Sequence, residues 1–74
     1  MKESNLIMMA YGKSKVGLFN LTLTKEKKGY RVIVKKTFFN SLTGFLTEVN
    51  DFFSLKEAQS NYFELNVKLN KQFE

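Results

Sequence analysis

Two runs of period-two alternation flank a basic segment between residues 16 and 38, and they constrain the fold more than any other stretch. Successive side chains on a strand point to opposite faces. In the first run Phe19, Leu21 and Leu23 fall on one face, and Asn20, Thr22 and Thr24 on the other. In the second run Tyr30, Val32 and Val34 share a face, while Arg31, Ile33, Lys35 and Thr37 share the opposite one. Pairing Phe19, Leu21 and Leu23 with Tyr30, Val32 and Val34 makes one apolar layer. A slip of one residue would drive Arg31 and Lys35 into that layer, so the register is well specified. The segment Lys25-Glu26-Lys27-Lys28-Gly29 reads as too long for a two-residue turn. Gly29 is predicted to hold a positive φ, in a longer loop closed by a bulge. The outer face then carries Arg31 and Lys35 beside Asn20, Thr22 and Thr24, and the loop adds Lys25, Lys27 and Lys28. Such a face is either a solvated surface with a charged, aggregation-resistant tip or a contact surface.

The flanking segments read as cover for this hairpin. Met1 to Asn5 is polar and predicted to fray. Leu6 to Tyr11 is a short apolar run without clear alternation, read as a first strand, either at an edge or buried on both faces; a short helix is the alternative. Gly12-Lys13-Ser14-Lys15 has turn composition, and it sets two more cations at the end of the molecule that holds Lys35 and Lys36. Residues 38–44 form a loop, with Asn40-Ser41 and Thr43-Gly44 as its turn chemistry. Phe45 to Asp51 resumes a strand, in which Phe45, Thr47 and Val49 alternate with Leu46, Glu48 and Asn50. Ser54-Leu55-Lys56-Glu57 matches a capping box and predicts a helix start. Leu55, Ala58, Tyr62, Leu65 and Leu69 then recur at spacings of three and four, a stripe that would cover the apolar sheet face. Phe63 and Val67 lie off that stripe, where they either wrap over the sheet edge, the favoured reading, or meet another molecule. Asn66 and Asn70 weaken the helix by about a few tenths of a kcal/mol each. The fold class is therefore α+β: a four-stranded antiparallel sheet with one C-terminal helix packed on one face (ββββα), in a single domain over residues 1–74.

Size and composition bound what such a domain can do. At 74 residues it buries only about 60–65% of its unfolded surface, and with no Cys it has no disulfide to staple it. Eight Phe and three Tyr must supply the core, or a second chain must help cover it, which favours a homodimer. No apolar run approaches a membrane span, and Leu6 to Ala10 is too short for a signal-peptide core, so a cytoplasmic protein is expected. Eleven Lys against one Arg, with abundant Asn and Phe, fit an AT-rich coding sequence of bacterial or mobile-element origin. The net charge of +5 is uneven: residues 1–47 carry a balance of +7 and residues 48–74 a balance of −2. A basic sheet beside a helix that is not basic can attract nucleic acid or an acidic protein surface.

No catalytic constellation is present, and the chain is read as non-enzymatic. With no His and no Cys there is no imidazole base, no thiol nucleophile and no Cys/His metal cage. Glu48 and Asp51, three apart on a strand, fall on opposite faces. Ser14 with Lys15, and Ser54 with Lys56, give no Ser-Lys dyad, and Gly12-Lys13-Ser14 lacks the upstream Gly of a phosphate loop. No cofactor and no metal are expected. What remains is basic and aromatic: Phe38, Phe39 and Tyr11 near Lys13, Lys15, Lys35 and Lys36, the combination that binds single-stranded nucleic acid, although such rings also serve as ordinary core.

From residue 18 to residue 71 the layout resembles a WGR domain. The resemblance is carried by Leu21-Thr22-Leu23, by Gly29-Tyr30-Arg31-Val32, by the loop ending at Gly44, and by Phe52-Phe53-Ser54-Leu55-Lys56-Glu57-Ala58 leading into the helix. WGR domains are small sheet-plus-helix modules of DNA-dependent ADP-ribosyltransferases and of bacterial proteins, and several contact DNA. The positions of the signature Trp-Gly-Arg hold Lys36, Thr37 and Phe38 here, so the DNA-stacking Trp has no counterpart. The size and charge also resemble the inhibitors made by phages and mobile elements, such as anti-CRISPR proteins, which act by occupying a protein surface.

Two readings follow. The first is a nucleic-acid-binding module whose basic face comprises Lys13, Lys15, Lys25, Lys27, Lys28, Arg31, Lys35 and Lys36. The second is an inhibitor or adaptor that binds a protein partner through an exposed sheet edge or through Phe63 and Val67.

Overall fold

The computed structural model describes residues 5–40 and 44–74. Its elements are β1 (Leu6–Lys13), β2 (Gly17–Glu26), β3 (Gly29–Phe38), β4 (Phe45–Phe52) and α1 (Leu55–Gln72). The strands form an antiparallel meander in the order β1-β2-β3-β4, and α1 packs on one face, mainly across β2 and β3. This is the ββββα arrangement that the alternation and the capping box predict. The predicted fraying of Met1–Ser4 and the turn chemistry of Ser41 and Thr43 lie outside the described residues.

Pairing of β2 with β3 sets the core. Leu21 lies opposite Val34 and Leu23 opposite Val32, and these four with Phe19 are at most 1% exposed. Each such side chain taken from water contributes about 1.5–3 kcal/mol. Tyr30 pairs with Lys25, whose ammonium stands 4.9 Å from the ring centre. Phe19 therefore faces Lys36 rather than an apolar partner. Its ring is met instead by Phe73, 5.4 Å away, which also stacks on Phe38 at 5.1 Å.

The turn between β2 and β3 corrects the expected long loop. Glu26 pairs with Gly29, which leaves only Lys27 and Lys28 between the strands. Neither has a positive φ. Gly29 does hold the predicted positive φ, at 158°, though not in a bulged loop, and a Cβ there would also collide with the carbonyl oxygen of Phe52. Gly12 and Lys13, expected in the first turn, belong to β1, and the turn is confined to Ser14, Lys15 and Val16. β1 is an edge strand, exposed on one side rather than buried on both.

Ser54 caps α1, its hydroxyl accepting from the Glu57 amide at 3.2 Å. Ala58, Tyr62 and Leu69 are buried and Leu65 packs against them, while Leu55 at the start of the stripe stays partly exposed. Phe73 extends the stripe four residues past Leu69 and closes the helix, its amide donating to the Leu69 carbonyl at 3.0 Å. Asn70 and Asn66 bond each other, with the Asn70 amide donating to the Asn66 carbonyl at 2.7 Å and to its side-chain oxygen at 2.9 Å. That pairing offsets part of their low helix propensity. The molecule measures 37 × 29 × 16 Å. Its thickness is that of one helix on one sheet, so the second face of the sheet stands open.

Candidate nucleic-acid interface

Strand registers lay out the open face row by row. Paired residues on adjacent strands point to the same side. The row nearest the β1–β2 turn is Lys13, Leu18, Thr37 and Phe45. Next comes Tyr11, Asn20, Lys35 and Thr47, and then Met9, Thr22, Ile33 and Val49. Below them Thr24 faces Arg31 and Arg31 faces Asp51.

The two ends of this face differ in charge. At the lower end the Arg31 guanidinium donates to Asp51 at 2.7 Å and lies 3.9 Å from Glu26. The hydrogen bond and charge of Asp51, with a smaller contribution from Glu26, hold the Arg31 pKa above its ordinary value. The Thr24 hydroxyl donates to the other Glu26 oxygen at 2.8 Å. Arg31 is thus already matched by two carboxylates. At the upper end Lys13 and Lys35 stand on the face, and Lys15 lies in the adjoining turn. Among the described residues the two upper rows of this face hold no carboxylate, and Glu74, next to Phe73 at the same end, follows the helix on the covered side. Glu48, one residue from Thr47, points to the helix side of β4, and Asp51 belongs to the lower end, so these two carboxylates do occupy opposite faces as expected.

The upper region is also aromatic. Tyr11 is 59% exposed on β1 and Phe45 62% exposed on β4. Phe39, 49% exposed, is tied to the β1–β2 turn by its amide, which donates to the Val16 carbonyl at 3.0 Å. The turn itself is closed by the Ser14 amide donating to the Gly17 carbonyl at 2.8 Å and the Val16 amide donating to the Ser14 hydroxyl at 3.2 Å. These bonds hold Lys15 and Phe39 at one rim of the sheet.

Of the eight cations predicted to form one basic face, the structure brings together Lys13, Lys15 and Lys35. Arg31 shares their face but is ion-paired. Lys27 and Lys28 occupy the opposite end, about 30 Å along the strands from Lys13. Lys25 and Lys36 lie on the helix-covered side, Lys25 over Tyr30 and Lys36 with its ammonium 3.5 Å from the Gln72 side-chain oxygen. Period-two alternation separates Lys36 from Lys35, and the strand reversal at Lys27 separates the two ends. Phe38, read as a possible platform, packs into the core against Phe73. Phe45 was absent from the predicted platform, although its parity with Thr47 and Val49 is visible in the sequence. On the helix, Phe63 and Val67 are 52% and 58% exposed, so they do not wrap over the sheet edge.

A cleft of about 200 Å³ opens at the lower end, lined by Lys28, Gly29, Tyr30, Arg31, Asp51, Phe52, Phe53 and Glu26. Its Arg31, Asp51 and Glu26 are the same ion-paired groups. Among the described residues no three acidic groups converge to hold a metal, and no helix is long and apolar enough to cross a membrane. No protein-family model matches this chain, and no curated protein or solved structure matches it either.

Proposed function

We propose that this chain is a non-enzymatic nucleic-acid-binding module working through the upper half of its open sheet face. The observation that carries the reading is the grouping of Lys13, Lys15 and Lys35 on an exposed surface from which carboxylates are absent among the described residues. Phosphate contacts by lysines release counterions, so affinity falls with salt in proportion to their number. Three contacts correspond to a log–log slope of about −2 on a single strand and about −3 on a duplex. Fluorescence anisotropy across a salt series tests this. Lys13→Ala and Lys35→Ala each make the slope shallower by about 0.7–0.9. Lys27→Ala with Lys28→Ala, which removes more charge at the wrong end, leaves the slope unchanged. Equal effects from the two sets would mean that net charge, not this patch, does the binding.

A second reading, a protein-binding inhibitor or adaptor, is favoured by the outward exposure of Phe63 and Val67, four apart on α1. In that case Phe63→Ser disrupts a complex with a protein partner and leaves oligonucleotide binding untouched.

A further inference from the structure

We infer that the nucleic acid taken by this face is single-stranded, and that Tyr11 and Phe45 hold it by stacking on its bases; this rests on the nucleic-acid reading above. Both rings stand on the edge strands of an open sheet, more than half exposed, with no place in the core. They lie one row apart and three strands across, a separation of about 15 Å from the strand spacing and rise. That distance is about four nucleotides at the 3.4 Å step of a stacked strand, and fewer if the strand is extended. Lys35 and Asn20 lie between the rings in the Tyr11 row, and Lys13 heads the row of Phe45. A strand crossing from Tyr11 to Phe45 therefore passes cations for its phosphates between two platforms for its bases, the combination used in sequence-tolerant single-strand binding.

A duplex is a poorer fit to the same surface. Its bases are stacked on one another and offer no free face to a ring. Reading a duplex through its major groove takes a helix or a two-stranded ribbon inserted into it. Here the one helix lies on the far side of the sheet, and the open face is broad and four strands wide. Apolar exposure here also differs from that of Phe63 and Val67, because the two rings flank cations on the sheet, whereas Phe63 packs edge-on against Tyr62, 5.6 Å away, on the helix.

The test is anisotropy with a fluorescein-labelled ten-nucleotide oligothymidine and a labelled sixteen-base-pair duplex, at low and physiological salt. The account expects the single strand to bind more tightly. Tyr11→Leu and Phe45→Leu, which keep apolar bulk but remove the ring, should each weaken it by about 5- to 100-fold with the salt slope unchanged. Tyr11→Phe should keep the affinity. If the duplex binds as well as the single strand and the Leu variants match the unmodified chain, while Lys35→Ala still lowers the slope, the stacking inference fails and the nucleic-acid reading stands. If neither oligonucleotide binds at low salt, both fall. Proton NMR of the unmodified chain gives a readout independent of variant folding: upfield shifts of the Tyr11 ring protons on adding the oligothymidine support stacking, and unmoved ring protons in a saturated complex overturn it.

Discussion

The two faces of the same two strands carry different kinds of information. On the covered face of β2 and β3, Phe19, Leu21, Leu23, Val32 and Val34 are almost completely buried under α1. On the open face their immediate neighbours are Leu18, Asn20, Thr22, Ile33 and Lys35, a mixed set that no hydrophobic core requires. The covered face explains why the chain folds. The open face has rings exposed at its edges and two lysines at one end, with a third in the adjoining turn, and folding explains neither. In a small domain with no disulfide, all cohesion must come from one side of one sheet. The other side is then free to be specialised for contact.

Three tests probe that division, in order of expected effect. Phe73→Ala removes the ring that joins Phe19, Phe38 and the end of α1, and should cost about 3–5 kcal/mol in urea unfolding, most of what a domain this size has. A cost below about 1 kcal/mol would mean that the helix end is not part of the core. Next, Leu21→Ala should cost about 2–5 kcal/mol, whereas Thr22→Ala, one residue along and on the other face, should stay within about 0.5 kcal/mol. Similar losses at both positions would erase the distinction between the faces. The smallest effect concerns pH. Burial raises the pKa of the Tyr62 hydroxyl above its ordinary value of 10.0. The folded chain keeps that proton after the unfolded chain has lost it, so the stabilisation is fully present below about pH 10 and is lost as pH rises further. Melting temperatures of the unmodified chain should therefore fall more steeply above pH 10 than those of Tyr62→Phe. Parallel curves would place Tyr62 in contact with water.

Much of the covered face was legible from residues alone. Alternation in Phe19–Leu23 and Tyr30–Val34 specified the layer but not its register, which the short turn sets two residues along, with Lys25 opposite Tyr30 and Lys36 opposite Phe19; Ser54 with Glu57 marked the helix start. Phe73 continues the stripe at the same spacing of four as Leu65 to Leu69, yet the predicted stripe ended at Leu69, so the aromatic clasp was missed. The Lys27–Lys28 turn was missed for a different reason. A two-residue hairpin loop is recognised by glycine or asparagine at its centre, and this one is built from lysines without positive φ. The open face was harder to read. Sorting Lys35 from Lys36 needs only parity, but grouping the cations by nearness in sequence put Lys25 and Lys36 on the wrong side. Which parity of β4 faces outward depends on its register with β3, set across the intervening loop, and no local pattern reports it. Phe45 entered the site only through that non-local pairing.

The central claim is that the upper half of the open sheet face is the contact surface, and amide chemical-shift mapping tests it most directly. Titration of the isotopically labelled chain with the ten-nucleotide oligothymidine should perturb amides at Tyr11, Lys13, Lys15, Lys35 and Phe45, and leave those of Phe63, Val67 and Lys27 in place. Perturbations centred on α1 or on the Lys27–Lys28 turn, or none at millimolar oligonucleotide in low salt, would contradict the account.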